Sequence, residues 1–107
     1  MAVSQRQFAA EVVTLGGTVD YFDDIGCLAR WWNERRPPPG SGVFVVDYES
    51  GRWLEAGGAH YVQSDRLNTP MRFGLVAFAG AAQAESAAAE FEGRLLGWDE
   101  VLREAAP

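Results

Sequence analysis

The chain carries one cysteine, one histidine and two methionines, at Cys27, His60, Met1 and Met71. With the carboxylates, these are the side chains that could hold a soft metal or act as nucleophile or base. A hydrolase triad would have to be built from Cys27, His60 and a carboxylate such as Asp47, and no local motif supports one. His60 stands on a short strand, where a lone histidine is more often a structural or surface residue than a catalytic one. Cys27 follows Asp23 and Asp24 in what reads as the first turn of a helix. Free amides there can lower a thiol pKa, the two aspartates oppose this, and a cysteine can also act only as a small apolar side chain. Met71 follows Pro70, whose ring fixes the backbone and forces Thr69 to be extended. Gly74 then permits close approach or unusual backbone angles. A thioether presented in this way is a soft ligand suited to Cu(I), or a side chain packed beneath its loop. Asp23 and Asp24 are adjacent and would point to opposite faces of a strand, so capping suits them better than joint acid–base work. Phosphate loops, dinucleotide fingerprints, GxSxG and HExxH are absent, and the chain reads as a binding protein, not an enzyme.

The elements that must position these residues follow from periodicity. Phe8 to Thr14 reads as a strand with Phe8, Ala10 and Val12 on one face and Glu11 on the other. Gly16-Gly17 marks a hairpin to a partner strand at Thr18 to Phe22. Asp23 or Asp24 then caps a helix whose stripe is Ile25, Leu28, Ala29 and Trp32. Arg35-Arg36 suits its C-terminal end, and Pro37-Pro38-Pro39-Gly40 stops it. Val43 to Val46 is a continuous apolar run and reads as a buried strand. The second half reads as short strands at Arg52 to Leu54 and Ala59 to Gln63, a loop over Ser64 to Pro70 and a strand at Phe73 to Ala79. A helix with the stripe Ala81, Ala84, Ala88 and Phe91 follows, stopped at Gly93. Leu95-Leu96 is a last short strand, and Trp98, Val101 and Leu102 mark a final helical segment. The expected class is α+β, one domain over 1–107, with two ββαβ-like halves at about 1–48 and 49–107 that hint at a duplication.

Composition narrows what such a domain could bind. The 107 residues include nine Arg, no Lys and fifteen Asp and Glu, for a net charge of −6. An acidic chain repels phosphate backbones, so nucleic acid is not an expected partner. A single cysteine excludes an internal disulfide framework and a Cys-rich zinc site. No apolar run approaches the ~18 residues of a membrane span, and the first residues show no basic-then-apolar signal. Taken as written, the sequence would be cytoplasmic.

In order along the chain, several segments resemble the NosL family of copper-binding accessory proteins of nitrous oxide reductase assembly. Tyr21-Phe22-Asp23-Asp24-Ile25-Gly26-Cys27-Leu28 is similar to its Phe-Asp-x-x-x-Cys helix start. Val43-Phe44-Val45-Val46-Asp47 is similar to its central strand ending in Asp. Trp53-Leu54-Glu55-Ala56 and Ala59-His60-Tyr61-Val62 resemble its Trp-x-x-Ala and Ala-x-Tyr-Val segments. Thr69-Pro70-Met71, then Gly74-Leu75 and Ala77-Phe78, resemble its Pro-Met-Gly and Ala-Phe segments. Gly93-Arg94-Leu95-Leu96 and Trp98-Asp99-Glu100-Val101 resemble its C-terminus.

The resemblance implies a fold related to organomercurial lyase and a Cu(I)-binding chaperone. Its partner would be nitrous oxide reductase or another copper-accepting protein, on the periplasmic or extracytoplasmic face of the membrane. It implies Met71 as the principal ligand. Met1, Cys27 and His60 are further candidates, and Asp23, Asp24 and Asp47 read as structural or capping residues. The family's lipidated cysteine and the Cys-Gly of its Cys-Gly-Met segment have no counterpart, and Met1 falls where that methionine would be. The expectation is that the sequence as written starts at it. Ala2 favours removal of Met1, and Arg72-Phe73 separates Met71 from Gly74, where the family often has Gly at once. Two other readings stand beside the chaperone. One is a metal-free interaction or regulatory module that keeps the fold. The other is a thiol enzyme, which would need more thiols than Cys27 alone.

Overall fold

The computed structural model describes residues 6–37, 40–67, 69 and 73–105. After a 3-10 turn at Arg6–Phe8 come β1 (Ala10–Val13), β2 (Val19–Phe22), α1 (Ile25–Arg35), β3 (Gly42–Val46) and β4 (Trp53–Glu55). A second 3-10 turn at Ala56–Gly58 leads to β5 (His60–Gln63), β6 (Leu75–Phe78), α2 (Ala81–Phe91), β7 (Arg94–Leu96) and α3 (Trp98–Glu104). The strands form two antiparallel sheets, ordered β2-β1-β3-β4 and β6-β5-β7.

The expected α+β fold of two ββαβ-like halves is the fold observed. In each sheet the first strand of the unit is central. Its hairpin partner lies on one side and the strand that follows the helix on the other. The first sheet gains β4 as well, because Phe44, Val45 and Val46 pair with Glu55, Leu54 and Trp53. A segment beyond residue 48 thus completes the first sheet. Among the described residues the sheets join where Asp47 bridges Ala77 in parallel and the Tyr48 amide donates to the Ala77 carbonyl at 2.8 Å.

Local chemistry explains α1. Asp24 is extended and its carboxylate accepts from the Gly26 amide at 2.9 Å, a side-chain N-cap in a fully buried position. At the other end Arg36 turns left-handed (φ 47) and donates its amide to the Trp32 carbonyl, closing the helix just before Pro37. Ile25, Leu28 and Ala29 are buried, as the stripe requires. They meet Ala10, Val12 and Val45 of the first sheet and Tyr61, Leu75, Ala77 and Leu96 of the second. Val62, Val76 and Phe78 point the other way, onto Ala84 and Ala87 of α2. The second sheet is therefore covered on both faces, and every residue of β6 is buried.

Three expectations need correction. Phe8 does not extend β1. It ends the 3-10 turn and packs into the α2-side cluster, with its ring 6.0 Å from that of Tyr48. The buried stripe of α2 runs through Ala84 and Ala87, while Ala81 is exposed at the first turn. Glu92, not Gly93, takes the left-handed position that ends α2 (φ 54).

Candidate metal site

Met1 and Met71 lie outside the described residues, as do Pro70 and Arg72. The residues that flank 70–72 are firmly held. Thr69 is buried, and its hydroxyl accepts from the Gly74 amide at 3.0 Å. Gly74 has φ +67, as the sequence suggested it could, and its carbonyl accepts from the Ser64 amide at 2.9 Å. The Phe73 carbonyl accepts from the Gln63 side-chain amide at 3.5 Å. The Phe73 ring lies directly on Gly26, where a Cβ would run into it. The Arg30 guanidinium sits over the same ring, 5.4 Å from its centroid.

Gly26 precedes Cys27, so this contact sets the C-terminal flank of 70–72 against the helix turn that carries the only thiol. Cys27 is half-buried in that first turn, and its amide donates to the Asp24 carbonyl at 3.1 Å. Burial pushes the thiol pKa up, Asp24 adds to this, Arg30 opposes it, and Asp23 adds again. Burial and the two carboxylates thus outweigh what helix amides and Arg30 offer, and at neutral pH Cys27 is a thiol. Its alkylation by iodoacetamide is expected to be slow at neutral pH. The rate should still be climbing as the pH passes 9.0, the ordinary thiol value. A rate that levels off below that pH would contradict the assignment.

The other candidates have separate positions. Asp24 is the cap. Asp23 caps nothing among the described residues, and its Oδ1 is buried without a hydrogen-bond partner. Asp47 closes the turn after β3, accepting from the Glu49 amide at 3.1 Å and from the Ser50 hydroxyl at 3.0 Å. His60 is exposed at the start of β5 opposite Phe78, in a groove shared with Glu85 and Glu100. Gln63, which holds Phe73, is at the other end of that strand, about 10 Å away. The structure therefore brings Cys27 to the Phe73 flank and leaves His60 apart. Among the described residues no three His, Cys, Asp or Glu side chains could share one ion. Neither is any helix among them long and apolar enough to cross a membrane.

The residues that sequence reasoning missed are those that hold the flank, Phe73 above all. The available signal was Gly26, since a glycine inside a helix is costly and marks a close approach.

The NosL family profile matches residues 1–106. No curated protein matches the chain in sequence. Among solved structures, the chain is similar to the copper chaperone NosL from Shewanella denitrificans. The TM-score is 0.76 at 19% identity, over 86% of this chain and 76% of that one.

Proposed function

This chain belongs to the NosL family, and from that premise we propose that it binds Cu(I) as cargo and hands it to a copper-accepting partner. In the family's setting that partner is nitrous oxide reductase, and the transfer takes place outside the cytoplasm. The observation that carries the reading is the seating of Phe73 on Gly26, which ties the Pro70-Met71-Arg72 flank to the Cys27 turn. Met71 is the principal ligand and Cys27 its partner, a thioether and a thiol that suit a soft monovalent ion. Met1 is a further candidate. His60, at the far end of β5, is left out.

The raised Cys27 pKa fits a carrier. Binding must displace the thiol proton, which weakens the site and keeps the ion transferable. The acidic chain suits docking to a basic partner face.

The test is an anaerobic Cu(I) titration against a competing chelator. One equivalent should bind, Met71→Leu and Cys27→Ser should each weaken binding by about tenfold or more, and His60→Gln should leave it unchanged. An intact protein that takes up no Cu(I) would instead favour a metal-free interaction module.

A further inference from the structure

A cleft of about 350 Å³ opens where the α1–α3 pair meets the β3–β4 edge. Its walls include Trp32 of α1, Val43 and Phe44 of β3 and Trp98 of α3, with Glu55 and Gly57 at its margin. None of these residues belongs to the Cys27–Phe73 neighbourhood, and none is used by the copper reading.

Three large aromatic side chains border this opening. Trp32 and Trp98 pack against the main core yet stay half-buried. Trp98 is steadied by Tyr61, with ring centroids 5.8 Å apart and planes tilted 33°. Glu55 lies opposite Phe44 across the β3–β4 pair. It is exposed and makes no ion pair among the described residues. Aromatic faces carry negative potential, and a carboxylate beside them adds a full charge, so together they favour a cation. The planar guanidinium fits best, because it stacks on rings and offers a forked donor to a carboxylate. The cleft is at the small end of the range for ligand sites, enough for one long side chain.

We infer that this cleft receives an arginine side chain from a basic segment of a partner protein. The net charge of −6 favours such a partner over nucleic acid or an anionic membrane, and it disfavours a second copy of this chain.

The experiment is an NMR titration of the ¹⁵N-labelled, metal-free chain with a synthetic peptide of alternating arginine and glycine. A second peptide replaces arginine by citrulline, its neutral isostere. The Trp32 and Trp98 indole signals should move saturably while those of Trp31 and Trp53 stay. The citrulline peptide should bind about fivefold more weakly, and Glu55→Gln should weaken the arginine peptide about threefold. Gly57→Leu should abolish the shifts. Gly57 is at the cleft's margin, a Cβ there meets nothing within 4 Å and its φ is not positive, so this variant adds bulk beside the opening without straining the backbone.

Equal binding of both peptides would make the cleft a merely apolar groove and overturn the inference. So would shifts that survive Gly57→Leu, or indole shifts that follow protein concentration without peptide, which would mark self-association. The titration needs no copper, so its failure leaves the Cu(I) reading untouched.

Discussion

Gly26→Ala is expected to unfold about 10 °C below the parent protein, although alanine is the better helix former by about 1 kcal/mol. The cause is local. A Cβ at position 26 enters the Phe73 ring, and that ring is confined by Arg30 above it and by its own carbonyl's bond to Gln63. Relief requires either the ring or the start of α1 to move. The helix start is fixed by the buried Asp24 cap, so the ring yields and the 70–72 flank goes with it. A double-mutant cycle isolates the effect. In a Phe73→Ala background, which itself loses packing, Gly26→Ala should cost nothing or stabilise slightly. Equal costs of Gly26→Ala in both backgrounds, by thermal melts followed by circular dichroism, would show that the contact is not what position 26 feels. In the folded fraction, Gly26→Ala should also weaken Cu(I) binding, since it displaces the flank of Met71.

Gly74→Ala should be at least as damaging, by roughly 3 kcal/mol in urea unfolding. Two costs add. The backbone there is left-handed (φ +67), which a side chain resists, and a Cβ would meet the Ser64 carbonyl oxygen, a backbone atom that cannot swing aside. Ser64 and Gly74 are joined by the amide–carbonyl bond that shapes this turn, and Thr69 holds the Gly74 amide. Gly51 is the control. It has the same kind of backbone (φ +75) but open space where a Cβ would go, so Gly51→Ala should cost only about 1 kcal/mol. Similar costs at the two positions would mean that the Ser64 contact contributes little.

Much of the architecture was legible because it rests on short-range rules. The Gly16-Gly17 hairpin, an aspartate cap and the first three residues of the stripe Ile25, Leu28, Ala29 and Trp32 form as the spacing indicates, while Trp32 stays half-buried. What was not legible depends on which surface a residue meets. Phe8 alternates correctly with Ala10 and Val12, yet it turns away to pack with Val62 and Phe78, and no local pattern separates a strand's first residue from a bridge to the other sheet. Arg52 to Leu54 reads as a strand and the strand forms one residue later, at Trp53–Glu55, but its partner β3 is not readable, because pairing is decided by the shape of the assembled sheet. At the candidate site, the chemistry of Cys27 and Gly74 was visible from residue type. The seating of Phe73 on Gly26 was not, since it joins residues 47 positions apart. The cap was narrowed from two aspartates to Asp24 only by the backbone, which leaves Asp23 with a buried oxygen that has no hydrogen-bond partner among the described residues.

The membership of the main core, which runs from Ala10 to Ala105, bears on how the protein is made. A nascent chain leaving the ribosome presents Val12, Ile25 and Leu28 first, and these can cover one another only in part. Tyr61, Leu75 and Ala77 come later, and Val101 and Ala105 later still. Asn33 of α1 then secures α3 by donating to the Leu102 carbonyl at 2.7 Å. The first half is therefore an apolar surface awaiting its cover until the second half has emerged, and in that interval it is a natural client for chaperones that hold unfinished chains.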